Sequence, residues 1–268
     1  MTAIGQTLAI NATALLAVIL LLWAYSVKIR DVSFIDAFWA FGMVLLAWAS
    51  WTQSDAPGAL SHLLLGLTTL WGLRLSLHLW TRWRAHGEDP RYEKIMRSVM
   101  EKKGWSWSKT SLQSVFLTQA PLLFITCLPA QLGIAYSDGA STALGPLAFA
   151  GAIIAIIGIL FETIGDAQLN AFRADPANKG KVLDTGLWRY TRHPNYFGDF
   201  TAWWGIFIVG IAAGAPWWTV MGPLFLSFTL TRWSGAPLLE RSLKKHRPGY
   251  EDYIRRTSGF FPLPPKKD

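Results

Sequence analysis

The sequence contains little cysteine and little charge, and both absences limit what the protein can be. Its single cysteine, Cys127, lies in an apolar run, so neither a disulfide framework nor a thiolate metal cluster can form, and we expect no metal site. Charged residues make up 16% of the chain, against about a quarter in a typical soluble domain. With 51% hydrophobic residues and 15 tryptophans, the composition instead indicates an integral membrane protein.

Common nucleotide-binding motifs are also absent. No Gly-x-Gly-x-x-Gly turn follows a strand and no Walker loop occurs, so a bound nucleotide would not be held by a Rossmann or P-loop unit. The formal net charge is +8, which in a soluble protein would suggest nucleic acid. Here the basic residues fall in blocks between apolar runs, as in cytoplasmic loops of membrane proteins. We therefore expect no nucleic-acid partner.

Long apolar runs define the architecture. A bilayer core requires about twenty apolar residues in helical form, because backbone polar groups cannot stay unpaired in hydrocarbon. The sequence therefore predicts an all-α polytopic membrane protein, folded as a single domain over residues 1–268. About seven transmembrane helices are predicted, at residues 7–26, 33–51, 60–81, 112–134, 143–164, 198–213 and 216–231.

The distribution of lysine and arginine predicts the orientation. Neither residue occurs in the N-terminal tail or in the loops at 52–59, 135–142 and 214–217. The basic residues concentrate instead at 27–32, 82–111, 165–197 and in the C-terminal tail at 232–268. Positively charged loops stay on the cytoplasmic side. The N-terminus is therefore predicted outside and the C-terminus in the cytoplasm, as an odd number of crossings requires.

Several ionisable residues fall within or at the ends of the predicted spans. With this orientation all of them lie in the cytoplasmic half, which favours an enzyme with a cavity open to the cytosol over a transporter with a midplane site. Side chains at helix ends can also extend to water without any further role, and this alternative stays open. The residues are Asp36, Arg74, His78, Glu162, Asp166, Asp199 and Arg232.

The loop at 165–197 is rich in cations and leads into a span through the segment "LWRYTRHPNYFGDFTAWWG". Its arginines suit phosphate oxygens, but positive-inside charge would produce the same composition. Asn195 and Asp199 are four residues apart, so they share a helix face, and Gly198 leaves room for a flat group to approach. A helix N-terminus there would favour an anion.

The segment "GLWRYTRHPNYFGDFTAWWG", together with "DAQLNAFR" before it and "LLERSLKKHRPGYEDYIRRTSGFFPLPP" after it, resembles the steroid 5-alpha-reductase C-terminal-domain family. The segments "SFIDAFWAFG" and "EDPRY" are similar to its bacterial branch of unknown function. The resemblance implies a seven-helix NADPH-dependent reductase that saturates a carbon-carbon double bond conjugated to a carbonyl. It also implies a bacterial cytoplasmic membrane, with the active site facing the cytoplasm.

The resemblance also implies site residues. Asp36 falls where the family places a catalytic glutamate, and His78 or Tyr92 would stand in for its tyrosine; we expect these three to polarise the substrate carbonyl. The substrate would be flat and lipophilic, such as a steroid, sterol or polyprenoid enone, and would enter from the surrounding lipids. Asp166, Arg173, Asn195 and Asp199 match cofactor-contacting positions of the family. The full set of expected cofactor-binding residues also includes Arg189, Arg192, His193, Tyr196, Arg232 and Glu240.

Two other functions stay open. Membrane methyltransferases that use S-adenosylmethionine share an arginine-histidine-proline motif, which "TRHPNYFG" resembles, and a C-terminal glutamate segment. They commonly carry two adjacent acids there, whereas Leu239 precedes Glu240 in this chain. A non-enzymatic lipid-binding protein whose loops hold anionic headgroups is the third possibility, although it would not need buried carboxylates.

Overall fold

A computed structural model describes residues 3–139, 143–233 and 235–266. Within these ranges the chain is predominantly helical and contains no strand, only two isolated bridges. It forms two compact units, one of residues 1–148 with 209–221 and the other of residues 149–208 with 222–268. The all-α class is confirmed, while the single domain over residues 1–268 stays a prediction.

The helices before residue 140 all belong to the first unit. They are α1 (Ala3–Ile29), α2 (Ile35–Trp51), α3 (Ala59–His86), α4 (Pro90–Lys103), α5 (Trp107–Ser111), α6 (Leu117–Thr126) and α7 (Leu128–Tyr136), with a π-helical turn at Leu112–Phe116 between α5 and α6.

The helices after residue 145 contribute most of the second unit. They are α8 (Pro146–Ala174), α9 (Pro194–Ala212), α10 (Met221–Phe228), α11 (Ala236–His246) and α12 (Tyr250–Arg256). Short 3₁₀ turns lie at Pro176–Asn178, Gly186–Arg189 and Trp217–Val220, and a π-helical turn lies at Thr229–Trp233.

Among the described residues, three helices are long and apolar enough to cross a membrane, namely Ile4–Ile29, Ala59–His86 and Pro146–Ala174. A fourth crossing results if the bent pair formed by Trp107–Thr126 and Leu128–Tyr136 counts as one span. Helix α2 is also apolar but has only 17 residues. The chain thus has the helices of a membrane protein, while seven spans and their orientation stay predictions.

Two predicted spans are not the continuous helices that the apolar runs suggested. The run at 112–134 begins in a π-helical turn and is bent by 48° between α6 and α7. Pro129 lies in the first turn of α7 and has no N–H to continue the preceding helix, so the break falls just before it. The run at 216–231 divides into a 3₁₀ turn, α10 and a π-helical turn, and Pro223 is tolerated because it lies near the start of α10.

In the first unit, α2 and α3 pack almost backbone to backbone. A Cβ atom added at Gly72 would lie 2.4 Å from Val44 Cγ2 and 2.9 Å from the carbonyl oxygen of Ala40. One turn further along α3, Ser76 Oγ donates a hydrogen bond of 2.8 Å to the carbonyl oxygen of Ala37. This packing holds the start of α2, which carries Asp36, against α3.

In the second unit, glycines bring α8 and α9 equally close. A Cβ atom added at Gly158 would lie 2.3 Å from the backbone nitrogen of Ala202, and one at Gly198 would lie 2.4 Å from the backbone nitrogen of Glu162. Only glycine allows this approach. It places Glu162 and Asp199 at the same level of the helix pair, where they are 2% and 8% exposed.

Candidate functional site

A buried tyrosine and a carboxylate meet in the first unit. The hydroxyl of Tyr92 donates to Asp36 Oδ1 at 2.5 Å, and Tyr92 is 9% exposed. Helix α4 begins after Asp89, whose side chain accepts from the backbone N–H of Arg91 at 2.9 Å, and Pro90 occupies the first turn. This cap fixes where α4 starts, and Tyr92 is therefore held in its first turn, with its ring buried.

Two further side chains complete this cluster. Arg91 Nη2 lies 3.0 Å from Asp36 Oδ2 and 2.8 Å from Asp89 Oδ2, so its guanidinium bridges both carboxylates. Gln119 Nε2 approaches the Tyr92 hydroxyl oxygen at 3.4 Å, a long and weak contact. Asp36 and Tyr92 were predicted site residues, whereas the contribution of Arg91 was missed. The Asp-Pro start of "EDPRY" is the signal that could have placed Arg91 beside Tyr92.

The environment of Tyr92 keeps its hydroxyl protonated. Burial raises the pKa of Tyr92 well above its usual range, and the negative charge of Asp36 raises it further. A neutral hydroxyl that is itself buried and oriented can donate its proton to an oxygen on which negative charge develops, once the O–H turns from Asp36 to that oxygen. His78, the third predicted catalytic residue, lies half-buried on α3, and its role stays a prediction.

In the second unit, three of the predicted cofactor-binding residues contact one another. Arg192 Nε donates to Glu240 Oε1 at 2.8 Å, and His193 Nε2 lies 3.0 Å from the same oxygen. Burial acts to raise the pKa of Glu240, but the hydrogen bonds from His193 and Arg192 outweigh it and lower the pKa to about 2. Glu240 is therefore a carboxylate at neutral pH, with the Arg192 guanidinium and the His193 imidazole held against it.

Arg192 also anchors the C-terminal segment. Its Nη1 donates to the carbonyl oxygens of Thr257 at 2.6 Å and Ile254 at 3.3 Å, and its backbone N–H donates to Ser258 at 2.9 Å. A Cβ atom added at Gly259 would lie 3.1 Å from Arg192 Nη2. The guanidinium thus ties α12 and the residues after it to the turn that precedes α9. These contacts position the tail, and a direct contact of Arg192 with a cofactor stays a prediction.

His193 presents a buried nitrogen toward this cluster. The side chain is 1% exposed, and its ring stacks on Tyr196 with centroids 5.3 Å apart and planes at 8°. Because ionised Glu240 can only accept, Nε2 carries a proton. In the described parts of the chain, Nδ1 has no hydrogen-bond partner. Leaving a buried polar atom unpaired is costly, so Nδ1 is suited to receive a donor group from a ligand.

The remaining predicted cofactor residues lie on the same unit. Asn195 and Asp199 occupy the first turns of α9, and the Asn195 Oδ1 accepts from the backbone N–H of Tyr196 at 3.1 Å. The turn of α8 that carries Asp166 packs against the start of α9, since a Cβ atom at Gly165 would lie 3.2 Å from Pro194. Asp166 is buried. Three exposed arginines complete the predicted set: Arg173, Arg189 and Arg232.

The chain belongs to the DUF1295 family of proteins of unknown function, whose family model matches residues 22–257. It is also 23% identical over 274 aligned residues to an uncharacterised protein of Schizosaccharomyces pombe, an alignment that covers 90% of this chain and 75% of that protein. The family defines no activity. The residues of both clusters lie within the part of the chain that the family model matches.

Two shorter similarities concern proteins with a stated role. A probable O-methyltransferase of Ustilaginoidea virens is 32% identical over 92 residues, which are 34% of this chain and 32% of that protein. A nickel-cobalt-cadmium resistance protein of Alcaligenes xylosoxydans xylosoxydans is 28% identical over 109 residues, 41% of this chain and 48% of that protein. The alignments thus span about a third and a half of these relatives. No solved structure matches the chain.

Proposed function

We propose that this protein is a membrane oxidoreductase that uses NADPH to reduce a carbon-carbon double bond conjugated to a carbonyl in a lipophilic substrate. The observation that carries the proposal is the buried Tyr92 hydroxyl, held 2.5 Å from Asp36 Oδ1. Reduction of an enone leaves negative charge on the carbonyl oxygen, and a positioned acid must meet that charge. Tyr92 has the burial and the protonation state that this task requires.

Each residue of the cluster has a defined part in this proposal. In the free protein, Asp36 orients the Tyr92 hydroxyl by accepting its hydrogen bond. When substrate binds, this O–H turns to the carbonyl oxygen and supplies the proton. Arg91 holds Asp36 in place through its 3.0 Å contact, and its guanidinium carbon lies 6.0 Å from the centre of the Tyr92 ring. The cation would stabilise a tyrosinate after proton transfer. His78 is a further candidate for the carbonyl, on the same helix face as Arg74.

The second unit supplies the proposed cofactor site. When bound, NADPH provides the hydride, while the protein positions the cofactor and provides the electrostatic environment. His193 Nδ1, a buried atom without a described partner, fits a ligand donor group. Exposed Arg173 and Arg189 are suited to phosphate oxygens, and Asn195 and Asp199 offer an amide and a carboxylate from the first turns of α9. The proposed set also includes Asp166, Arg192, Tyr196, Arg232 and Glu240.

We also infer the finer topology from the sequence. Seven crossings would place the N-terminus outside and the C-terminus in the cytoplasm, in agreement with the distribution of lysine and arginine. The proposed location is a bacterial cytoplasmic membrane, with the site open to the cytosol and its soluble cofactor. The substrate would then enter from the bilayer, as expected for a flat steroid-like or isoprenoid enone.

A methyltransferase that uses S-adenosylmethionine is the second candidate. The similarity to a probable O-methyltransferase favours it, and so does Glu240, whose pKa of about 2 keeps a negative charge in the second unit. S-adenosylmethionine carries a sulfonium and an ammonium, both of which a carboxylate attracts. Methyl transfer does not, however, require a buried acid such as Tyr92, and for this reason we rank it second.

Ligand-induced stabilisation of the purified protein tests the proposal. A ligand that binds the folded state raises the apparent unfolding temperature by mass action. We expect NADPH to raise this temperature and S-adenosylmethionine to leave it unchanged, and we expect His193→Ala and Arg173→Ala to reduce the NADPH effect. Stabilisation by S-adenosylmethionine alone would favour the methyltransferase, and no effect of either ligand would contradict both candidates.

A further inference from the structure

Two lysines converge on one tryptophan at the junction of α4 and α5. Lys103 Nζ lies 4.2 Å and Lys109 Nζ 4.8 Å from the centre of the Trp105 ring. Their ammonium groups can therefore be no farther apart than these two distances combined. The approach follows from the chain path: Gly104 ends α4 with a left-handed turn at φ 64°, and Ser106 caps α5 by accepting from the backbone N–H of Lys109 at 3.3 Å.

A second cation lies over a neighbouring indole. The guanidinium carbon of Arg30, at the end of α1, lies 5.2 Å from the centre of the Trp107 ring. The Trp23 indole N–H of α1 donates to the carbonyl oxygen of Ser108 at 3.1 Å and fixes α1 against α5. Three cations therefore cover two tryptophans that are two residues apart, all within the first unit.

Among the residues that the structure describes, the charges of this cluster lack a protein counter-ion. In the described parts of the chain, no carboxylate lies within ion-pair distance of Lys103, Lys109 or Arg30. Two acids are near these cations in sequence: Asp31, whose carboxylate accepts from Ser33 and Trp83, and Glu101, which is exposed on the last turn of α4. The two ammonium groups lie within 5 Å of the same ring centre, so their like charges repel each other, and an anion between them would relieve this repulsion.

We propose that this cluster, formed by Arg30, Lys103, Trp105, Trp107 and Lys109, binds the phosphate of an anionic phospholipid headgroup. Tryptophan is enriched where a membrane protein meets the headgroup layer, and lysine and arginine beside it attract anionic lipids. Arg30 directly follows the long apolar helix α1, so the cluster lies where the apolar surface stops. A headgroup phosphate supplies the missing negative charge and its acyl chains continue along α1.

Lipid binding can be measured without any cofactor or substrate. Native mass spectrometry of the full chain, released from neutral detergent, would be used with short-chain phosphatidylglycerol and, separately, short-chain phosphatidylcholine. The test variant is Lys103→Gln combined with Lys109→Gln. Its matched control is Lys244→Gln combined with Lys245→Gln, which removes the same charge from α11. Because all four lysines are exposed, we expect each variant to fold, and unfolding temperatures without lipid verify this.

The expected result is selective binding of phosphatidylglycerol that the test variant weakens about tenfold or more, since each lysine near the surface contributes measurably. The control pair should change binding less than about twofold, and Lys103→Arg with Lys109→Arg should preserve it, because arginine retains the charge. Equal weakening in both pairs, or none in either, would overturn the proposal. Displacement of the lipid by equimolar inorganic phosphate would also overturn it, because the site would then take a free anion.

Discussion

The Tyr92 hydroxyl donates to Asp36 Oδ1 at 2.5 Å across 56 residues of sequence. The contact joins the first turn of α4, which is set by the Asp89 cap, to the first turn of α2, which is held against α3. Each partner is therefore positioned by its own helix start rather than by a flexible loop. A rigid acid of this kind is what a reductase needs beside a developing enolate.

Loss of the Tyr92 hydroxyl should abolish most of the turnover. Tyr92→Phe keeps the buried ring, so we expect normal folding but a kcat lowered by about 10²- to 10⁴-fold, the usual contribution of a general acid. Steady-state oxidation of NADPH with an enone substrate measures this effect. Tyr190→Phe, which removes a hydroxyl from an exposed tyrosine, is the control and should retain full activity.

The pH dependence should report the raised pKa of Tyr92. An acid works only while it is protonated, so a pKa above the ordinary value of 10.0 moves the loss of activity to higher pH. We expect kcat to stay constant between about pH 8 and pH 10. Asp36→Asn removes the negative charge that raises the pKa of Tyr92, so in this variant the fall of kcat at alkaline pH should begin at a lower pH. An alkaline limb already below pH 9 in the unaltered protein would exclude Tyr92 as the acid.

The Arg192–His193–Glu240 cluster should make stability depend on pH in the acid range. The pKa of Glu240 is about 2 in the folded protein, below the ordinary 4.5. The contribution of ionised Glu240 to the stability of the fold is therefore complete above about pH 4.5 and is lost as the pH falls toward 2. At neutral pH, Glu240→Gln should lower the unfolding temperature by several degrees, which corresponds to a decrease of about 2 kcal/mol in the free energy of unfolding. It should also make stability less dependent on pH in the acid range. Glu251→Gln, on the exposed start of α12, should do neither.

Close packing between α8 and α9 gives a further prediction. A Cβ atom at Gly158 would lie 2.3 Å from the backbone nitrogen of Ala202, whereas one at Gly66 would meet nothing within 4 Å. Gly158→Ala should destabilise the protein by about 1–3 kcal/mol through overpacking. Gly66→Ala should be neutral or stabilising by up to about 1 kcal/mol, because alanine favours a helix. Thermal unfolding of the two variants compares them, and equal effects would contradict the packing described.

The sequence predicted the helices well because bilayer spans have a strong compositional signal. The apolar runs at 7–26 and 60–81 lie inside α1 and α3. Breaks inside an apolar run were harder to predict. Pro129 explains why α6 ends before Cys127, but the sequence alone does not show whether a proline in an apolar run ends a helix or only bends it. The π-helical turn at Leu112–Phe116 has no comparable sequence signal, since it depends on how the flanking helices pack.

The sequence also identified residues of both clusters but could not pair them. Asp36 and Tyr92 were both candidates, yet their contact depends on where α4 begins relative to α2. Arg192 and Glu240, separated by 48 residues, were both expected to contact a cofactor. The structure shows Arg192 hydrogen-bonded to Glu240, because the C-terminal segment folds back onto the turn before α9. Such pairings arise from tertiary packing, which a single sequence does not encode locally.

Transfer of hydride from NADPH to an enone, followed with and without the Tyr92 hydroxyl, tests the central claim most directly. The purified protein would be given NADPH carrying deuterium at the transferable position of its nicotinamide, together with a panel of steroid and polyprenoid enones, and the products analysed by mass spectrometry. We expect one deuterium at the carbon β to the carbonyl of a saturated product, and its near-complete loss in Tyr92→Phe but not in Tyr190→Phe. Saturated product formed at equal rates by both variants, or a methylated product formed with S-adenosylmethionine in place of any reduced one, would contradict the account.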